Sequence, residues 1–148
     1  MTRTKSALIV FIVLAGALVT ALSIDYTDTY VADRFHKALE SGRFQPGQPF
    51  SLDAFLEYYD WDTVCVIVPG KDCLELRTLF GFPYVSKAEE GEWSLVFVKG
   101  GVVGAEVPIR REKLGPPPEV PNAPINRWAA IVDIRNTESG PRMFFVGQ

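Results

Sequence analysis

The sequence predicts an α+β fold in which short helices pack on a small, mainly antiparallel sheet. Apolar residues recur at helical spacing in the first half of the domain, whereas residues 93–146 alternate as strands do. The helices therefore precede the strands, which is the order typical of α+β proteins. With 148 residues, 47% of them hydrophobic, the chain can form one packed core and is too short for two ordinary domains.

The N-terminus has the pattern of a secretory signal or a membrane anchor. Arg3 and Lys5 precede residues 6–24. This stretch contains no charged residue and is rich in Leu, Ile, Val, Phe and Ala. Its length is close to the lower limit of about 17 residues for crossing a bilayer. Because basic residues stay on the cytoplasmic side, we expect residues 6–24 to contact the membrane and the rest of the chain to lie outside the cytoplasm.

Two outcomes for this segment stay open, a cleaved signal peptide and a retained anchor. Cleavage after Ala21 or Ser23 would meet the requirement for small residues only in part, so we expect retention. We divide the chain into a signal peptide or membrane anchor at 1–23 and a single α+β domain at 24–148. Retention predicts a periplasmic domain held at the membrane, and cleavage predicts a secreted one.

Two short helices open the domain. The first starts near Asp28 and ends at Gly42. The second has Ser51 as its N-cap, and Phe50 and Phe55 have the spacing of a hydrophobic staple across that cap. The apolar face of the first helix consists of Val31, Phe35, Ala38 and Leu39.

A buried strand and a third helix follow. Residues 63–68 are mostly β-branched, and apolar residues occupy both odd and even positions. This pattern predicts a strand covered on both faces. Asp72 and Glu75 have the spacing of a capping box at the start of the helix, and Gly81 ends it. One face of this helix consists of Cys73, Leu76, Leu79 and Phe80.

The remaining elements read as β structure. Gly100 and Gly101 supply the positive φ values of a tight hairpin turn after the strand at 93–98, and Pro108 places the end of the returning strand at a sheet edge. Residues 116–124 contain five prolines, which predicts an extended and exposed connector. Two further strands are predicted, one containing Trp128, Ala130, Val132 and Ile134 and one at 143–146.

The two cysteines have a spacing that a structural disulfide can use. Cys65 lies on the predicted strand and Cys73 in the first turn of the next helix, which can fold back over its strand. Their Cα atoms can then approach within the roughly 4.4–6.8 Å that a disulfide requires. We predict the disulfide because cysteines outside the cytoplasm are usually paired. Two buried free thiols are the alternative.

Asp60, Trp61 and Asp62 form a second local motif. We interpret it as structural, because a Trp at the junction of a helix and a strand packs inward while neighbouring aspartates cap backbone amides. The alternative is that the two carboxylates serve as acid and base in a small secreted hydrolase. His36 is the one histidine of the sequence, and we predict neither a catalytic nor a metal role for it.

The sequence offers little other chemistry. It contains no P-loop and none of the motifs Gly-x-Gly-x-x-Gly, His-Glu-x-x-His or Gly-x-Ser-x-Gly. Its 15 basic and 18 acidic residues make it mildly acidic, which argues against nucleic-acid binding. We therefore predict no catalytic residue, no metal, no cofactor and no nucleic-acid partner.

Part of the chain, roughly residues 50–111, is similar to a known sequence pattern. Residues 61–66 resemble the Trp-Asp-x-Val-x-Val motif of an uncharacterised family of small bacterial membrane-anchored or lipoprotein-like proteins. Residues 95–100 resemble the Leu-x-Phe-Val-x-Asp-Gly pattern that follows later in that family. Gly70 stands where the family has Tyr after a proline, and no N-terminal Cys is present for lipid attachment. The resemblance implies an exported, anchored domain and no particular activity.

These features together predict a non-enzymatic envelope protein that acts as a binding or interaction module. An edge strand offers unpaired backbone groups, and a pre-extended Pro-rich segment loses little entropy on binding. We therefore expect a protein partner at the connector of residues 116–124 or at the edge strand that ends in Pro108 and Ile109. The alternatives are the hydrolase that uses Asp60 and Asp62, and an inhibitor of an exported enzyme.

Overall fold

The computed structural model describes Val10 and residues 12–14, 27–56, 59–71, 73–81 and 83–147. The elements in chain order are α1 (Thr27–Glu40), β1 (Phe50–Ser51), α2 (Asp53–Leu56), β2 (Thr63–Ile67), α3 (Leu74–Phe80), β3 (Glu92–Lys99), β4 (Val102–Arg110), β5 (Ile125–Asn126), a 3₁₀ turn (Arg127–Ala129), β6 (Ile131–Thr137) and β7 (Gly140–Phe145). The strands form two antiparallel sheets, with the orders β1-β6-β7 and β4-β3-β2-β5. The fold is α+β with short helices, but it has two sheets where the sequence predicted one.

The predicted signal or anchor at 1–23 lies mostly outside the described residues. Val10, Ile12, Val13 and Leu14 are helical, and each leaves more than half of its surface exposed. Among the residues that the structure describes, no helix combines the length and the apolar character that a membrane crossing requires. The assignment of residues 1–23 stays a prediction.

The main core takes side chains from both sheets and from helices α1 and α2. The predicted staple is present, because the rings of Phe50 and Phe55 lie 4.9 Å apart between their centroids. Ser51 belongs to β1, where it pairs with Ile131, and so lies one residue before the position of the N-cap. Its hydroxyl still accepts a hydrogen bond from the Asp53 amide at 3.3 Å, because β1 runs directly into α2.

A second, smaller core lies on the other face of the four-stranded sheet. It consists of Cys65, Ile67, Cys73, Leu76, Val96 and Val98. Every residue of β3 from Trp93 to Val98 is buried. Trp93, Leu95 and Phe97 enter the main core, and Val96 and Val98 enter the second. As predicted, β2 is therefore covered on both faces, with α3 over one of them.

The predicted apolar face of α3 is only half correct. Cys73 and Leu76 are buried, whereas Leu79 and Phe80 are both exposed. A helix of seven residues is too short to cover the sheet beyond its first turns, so its C-terminal apolar residues extend past the second core. Gly81 ends the helix with φ 70°, as predicted, and Asp72 lies outside the described residues.

The prediction of a strand through Trp128 is wrong. The sixth strand begins at Ile131, and Trp128 lies in the 3₁₀ turn with 84% of its surface exposed. The turn forms because the Arg127 amide bonds the Asp62 carbonyl and the Arg127 carbonyl accepts a bond from the Ala130 amide. Those bonds fold the chain back before β6 can start.

Candidate functional site

A depression lined by charged and aromatic side chains lies where β2 and β5 meet. It has a volume of about 320 Å³ and is called the corner cleft below. Its lining residues are Asp60, Trp61, Asp62, Asn126, Arg127 and Trp128. The floor is fixed by the pairing of Thr63 with Asn126 and by the bond of 2.9 Å from the Arg127 amide to the Asp62 carbonyl.

Trp61 forms the base of the cleft and is 1% exposed, as the structural interpretation of the motif requires. Its ring packs edge-on against Phe97 at 5.2 Å, and its indole N–H donates to Asp53 at 2.8 Å. The Arg127 guanidinium lies 5.8 Å from the indole centroid and shields it from solvent. Trp61 is thus a core residue with its polar atom satisfied.

The two aspartates form an exposed ion-pair network. Asp60 contacts Arg127 Nη1 at 2.7 Å and Lys99 Nζ at 2.9 Å. Asp62 contacts Lys99 at 3.1 Å and accepts a bond of 2.8 Å from the Gly100 amide in the β3–β4 turn. Asp62 therefore caps a backbone amide, as predicted, while Asp60 pairs with side chains instead.

The electrostatics of this network disfavour the hydrolase alternative. The hydrogen bond from Lys99 lowers the pKa of Asp60, and the bond from the Gly100 amide lowers the pKa of Asp62. A general acid needs a carboxyl pKa raised towards the working pH. Both groups are instead held ionised, so neither can deliver a proton near neutral pH.

The sequence analysis did not identify three residues of the corner cleft as site residues: Asn126, Arg127 and Trp128. Arg127 links the cleft together, since its Nε bonds both carboxylate oxygens of Asp53, at 2.9 and 3.0 Å, while its Nη1 bonds Asp60. The sequence separation between Arg127 and these partners exceeds 60 residues. No local pattern could have indicated the pairing.

A second depression lies beside the Pro-rich connector, and we call it the connector groove. It has a volume of about 500 Å³ and is lined by Pro117, Pro118, Glu119, Val120, Pro121, Phe144 and Phe145. The connector was predicted to be exposed, but Pro117 is buried and Val120 packs against the main core. The correction arises because Gly115 pairs with β7, which brings the prolines against the phenylalanines.

Other parts of the chain cover part of the predicted edge-strand surface. Asp28 in the first turn of α1 accepts a bond of 2.8 Å from the Glu106 amide, and His36 Nε2 lies 3.0 Å from the Pro108 carbonyl. The Arg110 carbonyl accepts bonds from the Lys113 and Leu114 amides. The Glu106 amide and the Pro108 and Arg110 carbonyls are therefore occupied within the chain, so this part of β4 offers fewer free backbone groups than the prediction of a partner at this edge assumed.

A third depression, of about 470 Å³, is bounded by residues 67–71 and 83–88. Glu106 is buried beside it and accepts hydrogen bonds from the Tyr84 hydroxyl, the Ser86 hydroxyl and the Lys87 amide. Burial, followed by the contact with Glu106, raises the pKa of Tyr84, so its hydroxyl stays protonated and continues to donate. Both oxygens of the Glu106 carboxylate accept hydrogen bonds, which hold the segment at 84–87 onto β4.

The cysteine pair is present as predicted. The sulfur atoms of Cys65 and Cys73 lie at disulfide distance, with Cα atoms 5.8 Å apart. Both residues are fully buried in the second core. Within the described residues, no group of three or more His, Cys, Asp or Glu side chains has the arrangement of a metal site.

The predicted site residues thus occupy different parts of the molecule. Asp60, Trp61 and Asp62 line the corner cleft, whereas Cys65 and Cys73 lie in the second core and His36 contacts β4. The structure adds Arg127 and Trp128 to the first group and Phe144 to the connector groove. Comparison with models of protein families, with curated proteins and with solved structures finds no match to this chain.

Proposed function

We propose that the protein is an exported binding module, held at the membrane by residues 6–24, that takes an extended segment of a protein partner in the connector groove. It has no catalytic role in this proposal. The single observation that carries the binding proposal is the groove between the connector prolines and β7. The membrane attachment rests on the sequence of the N-terminus and is tested separately.

The export proposal is supported by two independent features. Residues 6–24 carry no charge before Asp25, and Val10 and residues 12–14 form exposed apolar helix. A cysteine pair at disulfide distance is typical of an oxidising compartment. Both features are expected of a domain that lies outside the cytoplasm.

The connector groove has the geometry that an extended segment needs. The Gly115 amide donates to the Pro141 carbonyl at 2.8 Å, and the Met143 amide donates to the Gly115 carbonyl at 3.0 Å. Within the described chain, no backbone hydrogen bond joins residues 117–121 to β7. The end of this edge strand is therefore left for an added strand, as in β-augmentation.

The walls of the groove also favour an apolar extended segment. Phe144 and Phe145 provide aromatic surface on one side, and three prolines provide a stiff wall on the other. The φ angle of each proline is fixed by its ring, so ordering the prolines on binding costs little entropy. Glu119, exposed in the connector, adds one negative charge that favours a basic residue in the partner.

Export is tested by reporter fusions to Gln148 in the full chain. We expect activity from a reporter that works only in the periplasm and none from a reporter that works only in the cytoplasm. N-terminal sequencing of the mature protein then distinguishes a retained anchor from cleavage near Ala21 or Ser23. The reverse reporter pattern would contradict the export proposal.

Groove binding is tested by photo-crosslinking in cells. A photoreactive phenylalanine analogue in place of Glu119 should give a discrete cross-linked product, whereas the same analogue in place of Glu138, which is also exposed, should not. Adding Phe144→Ala should remove the product without unfolding the domain, because Phe144 is only half-buried.

Mass spectrometry should place the cross-link in an extended segment of the partner. A synthetic peptide of that segment should bind the wild-type protein and lose affinity for Phe144→Ala. Equal cross-linking from both positions, or none from position 119, would overturn the groove proposal.

A further inference from the structure

We propose that the corner cleft binds a neutral carbohydrate, with the Trp128 indole stacked on a sugar ring and Asp60 and Arg127 bonded to its hydroxyls. This site is separate from the connector groove and does not depend on a partner there. Its volume of about 320 Å³ lies at the small end of the range of roughly 300–1,000 Å³ found for ligand sites.

Trp128 is held in a fixed position although its side chain is exposed. On one side, the Arg127 amide bonds the Asp62 carbonyl at 2.9 Å. On the other, the Ala130 amide bonds the Arg127 carbonyl at 3.3 Å, and the Ala130 carbonyl accepts from the Leu52 amide at 2.9 Å. An indole that is 84% exposed on such a backbone presents a flat apolar face that no part of the described chain covers.

A sugar ring matches this surface chemically. One face of a pyranose is made of C–H groups, which stack on an aromatic face, and its rim carries hydroxyls. The polar residues Asp60, Asp62, Asn126 and Arg127 line the same cleft as the indole. Apolar contact and hydrogen bonding are thus available side by side, as a ligand with an apolar face and a polar rim requires.

The ion pairs leave hydrogen-bonding capacity for a ligand. A carboxylate oxygen accepts more than one hydrogen bond, and a guanidinium carries five N–H donors. Asp60 uses one oxygen for Arg127 Nη1 and the other for Lys99 Nζ, and each oxygen can accept again. These pairs also keep both side chains oriented before a ligand arrives, which lowers the entropy cost of binding.

The charge balance selects for a neutral ligand. Asp53, Asp60 and Asp62 are faced by Arg127 and Lys99, so the cluster has a net charge of −1, and each of its carboxylates is already paired with a base. An anionic ligand would meet three carboxylates, and a cationic one would compete with two bases already paired. A hydroxyl-rich neutral ligand can donate to the carboxylates and accept from the guanidinium without breaking either pair.

The test uses the full chain in a detergent whose headgroup contains no sugar, with three neutral probes: chitotriose, cellotriose and maltotriose. Trp61 and Trp93 are buried, so Trp128 accounts for the tryptophan emission that iodide can quench. We expect at least one trisaccharide to protect this emission in a saturable way, with a Kd of about 1 mM or tighter.

Calorimetry then compares the variants with the wild type. Trp128→Ala should abolish binding while its Tm stays within about 2 °C of the wild-type value, because the side chain is exposed. Asp60→Asn should weaken binding by about tenfold, since a ligand hydroxyl loses a charged acceptor. The matched control Val85→Ala, which truncates an equally exposed apolar residue outside the cleft, should bind as the wild type does.

Three results would overturn the proposal. The first is the lack of a saturable response to all three trisaccharides at 50 mM, roughly fifty times the expected Kd. The second is unchanged sugar binding by a folded Trp128→Ala protein. The third is saturation of the cleft by a proline-rich peptide in the absence of any response to the sugars, which would reassign it to a protein partner.

Discussion

Replacing Trp61 by alanine should cost the domain about 3–5 kcal/mol of unfolding free energy. The indole is almost fully buried, packs on Phe97 and gives its N–H to Asp53, so the change leaves a large cavity and removes a hydrogen bond. Small domains are stable by only about 5–15 kcal/mol. We therefore expect little folded protein at 37 °C, measured by thermal melts of the full chain in mild detergent.

The matched control for this experiment is Asp60→Asn in the adjacent position. Asp60 is exposed and contributes only surface ion pairs, which add little to the stability of a folded domain. Its Tm should stay close to that of the wild type. A Trp61→Ala protein that melts at the wild-type temperature would show that the indole contributes to binding and not to the core.

Removal of the cysteine pair should cause the second largest loss of unfolding free energy. The bridge between Cys65 and Cys73 closes a loop of nine residues, and the chain-entropy estimate gives about 2.5 kcal/mol for that length. We expect the double variant Cys65→Ala with Cys73→Ala to lose about 2–3 kcal/mol in chemical denaturation. Reductant should destabilise the wild type similarly and leave the double variant unchanged.

Alkylation provides the direct check of pairing. Protein taken from its native compartment and denatured without reductant should leave both thiols unlabelled. Because both cysteines are fully buried, labelling must be done after unfolding, so that burial is not mistaken for oxidation. Two labelled thiols under these conditions would contradict the disulfide and favour two buried free cysteines.

Local signals in the sequence predicted much of the fold. Contacts between residues close in the chain were correct: the staple of Phe50 and Phe55, the turn at Gly100 and Gly101, and the cysteine pair. The prediction that Trp61 packs inward was also correct. An aromatic residue between a stapled helix and a strand that is apolar on both faces is surrounded by apolar side chains.

The candidate site was far less predictable, for a physical reason. The corner cleft depends on Arg127 reaching Asp53 and Asp60 across more than 60 residues, and its 3₁₀ turn interrupts an apolar alternation that looks like a strand from Trp128 onwards. The coverage of β4 likewise depends on Asp28 and His36, which lie 78 and 72 residues before their partners. Such pairings follow from tertiary packing and produce no periodic pattern in the sequence.

The distance along the chain between α1 and β4 also determines the order in which the protein can fold during synthesis. Helix α1 is synthesised early, yet the residues it contacts in β4, Glu106 and Pro108, are made much later. Phe50 likewise cannot pair until Val132 has been made. Contacts of this sequence separation form slowly, and β4 remains an open edge until α1 reaches it. The loop from Cys65 to Cys73, by contrast, joins residues that are made within a short time of each other. The pair of Cys65 and Cys73 can therefore form before β6 and β7, which complete the main core, have been made.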